Sequence, residues 1–130
     1  MKFDKTTVIA VVLAFLLGIG LALAAVNFTQ AKTAAYLLAE VDVKDYDTFA
    51  KYAQGAATIM KNHGGKYLVR GGMVSPVEGN WIPGRIVLVK FDGMEQARKC
   101  LNSPEYRKIK PLRDTSSSSK AIILEGTAKE

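Results

Sequence analysis

Cysteine and histidine are nearly absent from this chain of 130 residues, which has one of each, Cys100 and His63. A single cysteine excludes an internal disulfide, and one histidine cannot build a metal cluster by itself, so no metal site is expected. Cys100 falls in a helical pattern, where a small buried apolar residue fits better than a reactive thiol. His63 stands where a predicted helix ends and where a cationic ring suits the helix dipole. A catalytic role for His63 is the alternative.

The motifs of common cofactor and hydrolase sites are missing as well, because the chain has no Walker loop, G-x-S-x-G, H-E-x-x-H or C-x-x-C. Haem would need a well-placed histidine, and His63 is poorly placed, so we expect no cofactor. Lysine and arginine outnumber aspartate and glutamate 18 to 12, a net charge of +6, but they are scattered. The densest basic cluster resembles a solvated helix flank, and we therefore expect no nucleic-acid partner.

One long apolar run is present, at the N-terminus. Lys2 and Lys5 precede residues 8–26, which are almost wholly apolar, and two small-x-small cleavage motifs lie near the end of the segment, the second ending at Ala31. We expect residues 1–31 to be a cleavable signal peptide. Since the run is just long enough to span a bilayer, an uncleaved membrane anchor is the alternative. Mass spectrometry of the N-terminus of the native protein distinguishes the two. Either way the globular part is exported, periplasmic or secreted, and it meets the membrane only through this segment.

Residues 34–128 alternate between strand and helix patterns. Strands are predicted at residues 36–43, 66–75, 85–91 and 121–125, with helices at residues 46–63 and 94–101. Pro104 opens a further helical turn that Pro111 is expected to end, with a polar connector at residues 116–119. The order βαββαβ predicts an α+β sandwich of the ferredoxin-like type, with a four-stranded antiparallel sheet and both helices on one face.

The first predicted strand has two different faces. One is apolar throughout, whereas the other carries Tyr36, Leu38, Glu40 and Asp42 and has no helix to cover it. A sheet face of this mixed character suits pairing with a second copy, and two such sheets face to face make a barrel, so we expect a homodimer. The RNA-binding version of this fold needs aromatic residues on its central strands. Because residues 85–91 offer only Phe91, we do not expect this protein to bind RNA.

Several motifs together resemble a known family. They are Tyr67-Leu68-Val69-Arg70-Gly71-Gly72, Trp81-x-Pro83-x-Arg85, Asn102-Ser103-Pro104-Glu105-Tyr106, Ile109-Lys110-Pro111-Leu112-Arg113 and Leu124-Glu125-Gly126. On these the chain resembles the family catalogued as domain of unknown function 1330, in the dimeric α+β barrel superfamily. The resemblance implies the fold and a dimer, and no chemistry. Because the wider superfamily includes cofactor-free monooxygenases, lactone isomerases and haem-degrading enzymes, an enzyme here would resemble a cofactor-free isomerase or monooxygenase; whether this chain is an enzyme stays open.

Arg70 and the two glycines after it form the first candidate for a ligand site. A guanidinium group is a natural fork for a carboxylate or phosphate, and Gly71 and Gly72 would let a ligand approach the backbone closely. The alternative is that Arg70 forms a salt bridge to Glu40 or Glu78.

Glu40 is the candidate catalytic residue, because burial in a barrel would raise its pKa and make it a general base; a structural ion pair with an arginine is the alternative. Trp81 is a candidate lid, with packing over the sheet edge as the alternative. Tyr106 and Arg113 are further candidate ligand-binding residues, and the alternative for Tyr106 is to anchor the third helical turn to the sheet. We therefore expect a small, anionic organic molecule to bind in a cavity associated with the dimer, oriented by Arg70 with Glu40 and shielded by Trp81. The alternative is a non-catalytic structural or interaction domain.

Overall fold

The computed structural model describes residues 4–7, 9–10 and 32–128. The predicted export segment therefore lies mostly outside the described residues; residues 5–7 and 9–10 are helical. Nowhere in the described parts of the chain is there a helix with both the length and the apolar character that crossing a membrane requires.

Residues 32–128 form a four-stranded antiparallel sheet with three helices. In chain order the elements are β1 (Ala35–Val43), α1 (Tyr46–Asn62), β2 (Lys66–Arg70), β3 (Arg85–Phe91), α2 (Met94–Leu101), α3 (Pro104–Ser116) and β4 (Ser117–Glu125). The strands lie in the order β2-β3-β1-β4, with every neighbouring pair antiparallel. The predicted α+β, ferredoxin-like arrangement is confirmed, with the third helix as an addition to its second half.

Helix α1 begins and ends where the sequence predicts. The Asp45 side chain accepts hydrogen bonds from the backbone amides of Asp47 and Thr48, at 3.1 and 3.2 Å, and so caps the first turn. At the other end Gly64 has a φ of 78°, in the left-handed region that favours glycine, and the Gly65 amide donates to the Met60 carbonyl. These contacts fix the length of α1.

Helix α3 is longer than predicted, because it continues through Pro111 to Ser116. The expected end at Pro111 and the polar connector at residues 116–119 are both wrong. Pro111 lies on an exposed position of the helix, where the carbonyl that loses its amide partner can meet water. The hydroxyls of Ser116 and Ser117 donate to the carbonyls of Leu112 and Arg113, at 2.5 and 2.8 Å. These bonds satisfy carbonyl groups in the last turn of the helix, and strand β4 follows directly without a loop.

Strand β2 is shorter than predicted, since it ends at Arg70 instead of continuing to residue 75. Gly71 has a φ of 67° and turns the chain out of the sheet. The irregularity in strand pairing lies before the glycines, between Tyr67 and Val69. This bulge inserts one residue into β2 relative to β3, so Tyr67 and Arg70 lie on the same face of the sheet.

The two faces of the sheet differ as the sequence predicts. Leu37 pairs in register with Val89 and Ile123 on the face that the helices cover, and Met60, Cys100 and others complete the core there. The opposite face, which we call the open face, carries Leu38 in register with Leu88 and Ile122. Within residues 32–128 no helix covers it. Its apolar side chains are consequently left in contact with solvent in a single chain.

Cys100 is fully buried in the core, as the helical pattern predicts, and its Sγ lies 3.5 Å from Met60 Sδ. Burial raises the pKa of its thiol to about 11. His63 caps the end of α1, with Nε2 4.0 Å from Glu105 Oε2. Neither side chain lines the cavity described below.

Candidate functional site

A cavity of about 240 Å³ lies between the covered face of the sheet and helices α1 and α3. Its walls are mostly aliphatic and aromatic, and its polar lining consists of Tyr52, Tyr67, Arg70, Arg85, Tyr106, Lys110, Arg113 and Ser119. About 150 Å³ of apolar space is enough to hold benzene. The cavity therefore has room for one substituted ring.

Arg85 is the first residue of β3 and points into this cavity. Its register opposite Val41 places it on the covered face of the sheet. Its Nη2 donates to the Arg70 carbonyl at 3.1 Å, and its guanidinium lies 5.9 Å from the centre of the Phe49 ring. Its Nε is buried and has no hydrogen-bond partner among the described residues. A buried donor left unpaired costs about 1–3 kcal/mol, so this N–H lowers the stability of the ligand-free protein.

Gly71 makes room for the Arg85 guanidinium. A Cβ at this position would stand 2.7 Å from Arg85 Cζ and 2.6 Å from its Nη1, and the φ of 67° is one that other residues rarely adopt. The sequence predicts that the two glycines let a ligand approach the backbone. The group that approaches Gly71 is instead Arg85, and nothing lies within 4 Å of a Cβ at Gly72.

Gly71→Ala is therefore expected to destabilise the protein by about 1–3 kcal/mol, through backbone strain and the displacement of Arg85. Gly72→Ala is the matched control, since it adds the same methyl group in open space and should change stability by less than about 0.5 kcal/mol. Urea denaturation of the two variants checks this. Equal stability of both variants would show that the space beside Gly71 does not matter.

Arg70 lies on the same face as Arg85, opposite Val87. Its Nη2 donates to the Ala53 carbonyl at 3.0 Å, and its guanidinium lies 5.1 Å from the centre of the Tyr67 ring. Neither arginine forms an ion pair with any carboxylate that the structure describes. Both also line a shallow outer groove beside α1. They stand where the cavity approaches the surface.

Tyr52, Tyr106 and Arg113 form a hydrogen-bonded chain along the helical wall. The Tyr52 and Tyr106 hydroxyls are 3.0 Å apart, and Arg113 Nη1 donates to the Tyr106 hydroxyl at 2.9 Å. Asp114 accepts from Arg113 Nη2 at 3.2 Å and from Lys110, so these two cations share one carboxylate. Burial raises the pKa of Tyr106 well above its usual range and also raises that of Tyr67. Both phenols therefore stay protonated at neutral pH.

Glu40 and Trp81 meet on the open face, away from this cavity. Trp81 Nε1 donates to Glu40 Oε2 at 3.3 Å, and both line a hollow of about 220 Å³ with Lys120 and neighbouring apolar residues. Arg70 lies on the opposite side of the sheet. The structure therefore forms neither the predicted shared site of Arg70 and Glu40 nor the alternative salt bridge of Arg70 with Glu40 or Glu78.

The predicted residues are thus divided between two faces, with Arg70, Tyr106 and Arg113 at the cavity and Glu40 and Trp81 opposite. The sequence interpretation missed Arg85 and Tyr52. Arg85 alternates with Val87 and Val89 along the strand, so the sequence already indicated that its charge lies on the covered face. Within the described ranges no three His, Cys, Asp or Glu side chains are grouped closely enough to hold a metal ion.

Solved structures share this fold at low sequence identity. A protein of unknown function from Rhodopseudomonas palustris has a TM-score of 0.63 at 15% identity, over 74% of this chain and 84% of that one. SnoaB, a cofactor-independent oxygenase from Streptomyces nogalater, has a TM-score of 0.52 at 13% identity, over 75% of this chain and 95% of its own. Identities this low show the fold alone. The chain matches no curated protein.

The sequence pattern of one family matches residues 34–127, which contain the whole sheet and all three helices described above. The chain belongs to the family described as Domain of unknown function (DUF1330).

Proposed function

We propose that this protein binds a small organic anion in the cavity between the sheet and helices α1 and α3, with the anionic group on Arg85. The observation that carries the proposal is the buried Arg85 Nε, which has no acceptor within the described chain. A guanidinium offers donors in a fork that matches a carboxylate. A carboxylate in the cavity would pair with the Arg85 guanidinium group, and a small turn of this side chain would also give the Nε–H an acceptor.

The charge of the cavity lining supports an anionic ligand. Four cationic side chains line it, and no aspartate or glutamate does. Asp114 pairs with Lys110 and Arg113 from outside the cavity, whereas Arg70 and Arg85 have no such carboxylate in the described structure. Apolar walls around cations favour a ligand with an apolar body and one acidic group.

The same lining supports binding more than acid–base catalysis. Among the described residues that line the cavity there is no carboxylate and no imidazole, and burial raises the pKa of the Tyr67 and Tyr106 phenols. Glu40 faces the other side of the sheet, so the proposal gives it no part as a general base. A purely structural domain is the rival, but it would be expected to fill this space or pair Arg70 with a carboxylate.

Benzoate is expected to raise the melting temperature of the full-length chain, and benzamide is not. The two probes have the same size and shape, but only benzoate carries the charge that Arg85 and Arg70 would bind. At a concentration 100 times its Kd a ligand adds about 2.7 kcal/mol of stability, which raises Tm by roughly 10–20 °C in a domain of this size. A thermal-shift series over concentration measures this. Equal behaviour of the two probes contradicts the proposal.

We also propose that the chain forms a homodimer through its open face. Leu38, Leu88 and Ile122 lie side by side there, and Ile122 and Leu124 are 55% and 43% exposed in the single chain. Adjacent apolar side chains on an uncovered sheet face favour association with a self-complementary surface. Because the cavity lies on the other side of the sheet, each protomer would hold a complete site.

A further inference from the structure

The hydrogen-bonded chain on the cavity wall has a direction, which starts at Arg113. A guanidinium has donors and no acceptor, so in the 2.9 Å contact the Tyr106 hydroxyl oxygen must accept. This leaves the hydrogen of the Tyr106 hydroxyl to be donated elsewhere.

Tyr106 can donate that hydrogen to Tyr52. Tyr106 is 3% exposed, and among the described residues its hydroxyl is hydrogen-bonded to Arg113 and Tyr52 alone. Buried polar groups are nearly always hydrogen-bonded, so the hydrogen is directed at the Tyr52 oxygen, 3.0 Å away. Burial raises the pKa of Tyr106, which keeps this hydrogen in place.

Tyr52 then accepts from Tyr106 and has its own hydroxyl hydrogen free. In the described part of the chain Tyr52 makes no other hydrogen bond through its hydroxyl, and its side chain lines the cavity. A chain of donors that begins at a cation polarises its last hydroxyl and strengthens it as a donor. We infer that the Tyr52 hydroxyl is a specificity-determining donor, so that the ligand carries a second oxygen acceptor in addition to its anionic group.

This inference rests on the proposed function and narrows its ligand class. Phe49, Tyr52, Tyr67 and Tyr106 give the cavity aromatic walls, which suit a planar ring. One end of the ligand is the carboxylate at Arg85, and the other acceptor meets Tyr52. The ligand class is therefore an aromatic carboxylate with a second oxygen acceptor on a ring substituent, for which an acetyl group is a suitable probe.

The test compares ring-substituted benzoates by calorimetric titration of the full-length chain. The 3- and 4-acetylbenzoates carry the carbonyl oxygen, and the corresponding isopropylbenzoates have nearly the same shape without it. At least one acetyl isomer is expected to bind about tenfold more tightly than its isopropyl counterpart, the effect of one good buried hydrogen bond. Tyr52→Phe removes a single oxygen and should abolish this preference while leaving isopropylbenzoate binding unchanged.

Tyr67→Phe is the matched control, because Tyr67 also lines the cavity but is not in the chain from Arg113. It should keep the tenfold preference. The inference is overturned if the wild type shows no preference, if Tyr52→Phe keeps it, or if Tyr67→Phe is the variant that loses it. In each of these cases benzoates still bind and the proposed function survives. If no benzoate binds the wild type, both the inference and the proposed function are wrong.

Discussion

Replacing Arg85 by methionine is expected to remove anion binding while leaving the ligand-free protein at least as stable as the wild type. Methionine keeps the unbranched stem against Phe49 but has no donor for a carboxylate. Truncating one member of a buried charged pair costs about 2–5 kcal/mol of binding, which raises Kd by a factor of about 30 to several thousand.

The stability of the ligand-free protein, unlike its affinity for the anion, should not fall in this variant. Arg85→Met loses the 3.1 Å bond to the Arg70 carbonyl and the contact with Phe49. It also removes the buried, unpaired Nε, whose cost of about 1–3 kcal/mol offsets these losses. A residue held at the expense of stability is typical of a binding site.

Benzoate titration and urea denaturation of the Arg85→Met protein measure the two effects. Lys110→Met is the control, because Lys110 lines the same cavity but already pairs with Asp114; it should weaken binding much less. If Arg85→Met binds benzoate as tightly as the wild type, the site is elsewhere. If the variant is severely destabilised, Arg85 is a structural residue.

Leu88→Glu is expected to convert a dimer of the 14.1 kDa chain into monomers. Leu88 lies in the middle of the open face, on the central strand β3 and in register with Leu38. In the dimer this position would be buried, and an unpaired carboxylate there costs several kcal/mol. The dissociation constant of the dimer should rise by at least about a hundredfold, by the same conversion of free energy to affinity.

Sedimentation velocity at micromolar concentration distinguishes the two states. Lys108→Glu changes the charge on α3, on the other side of the sheet, and should leave the dimer intact. A wild-type chain that sediments as a monomer would contradict the proposed pairing. The cavity proposal does not depend on this result, because no residue of the open face lines the cavity.

Much of the fold follows from local patterns in the sequence. The alternation along β1 predicts its covered and open faces, because successive side chains of a strand point to opposite sides. Asp45 predicts the start of α1 and the Gly64-Gly65 pair predicts its end, since each supplies a hydrogen bond or a backbone angle that a helix end requires.

Pro111 shows where local rules fail. A proline usually ends a helix, but here the hydroxyls of Ser116 and Ser117 and the packing of Tyr106 hold the helix beyond it. These contacts depend on where the rest of the chain lies, so a pattern of residue types cannot predict them.

The prediction that Arg70 shares a site with Glu40 failed for a different reason. Strict alternation from Tyr67 would place Arg70 on the face opposite to Tyr67, beside Glu40. The irregularity between Tyr67 and Val69 inserts one residue and returns Arg70 to the covered face. One inserted residue thus separates the two members of the predicted site. Tyr52 and Tyr106, which are 54 residues apart, meet only through the packing of α1 on α3.

The most direct test of the central claim is the NMR signal of the Arg85 Nε–H group in the full-length chain, assigned by its loss in Arg85→Met. Because this group has no acceptor in the described structure, added benzoate should move its proton resonance downfield, and the change should saturate with concentration. Benzamide should leave the resonance in place. If benzoate binds and the Arg85 signal does not move, the anion is held elsewhere and the proposed site is wrong.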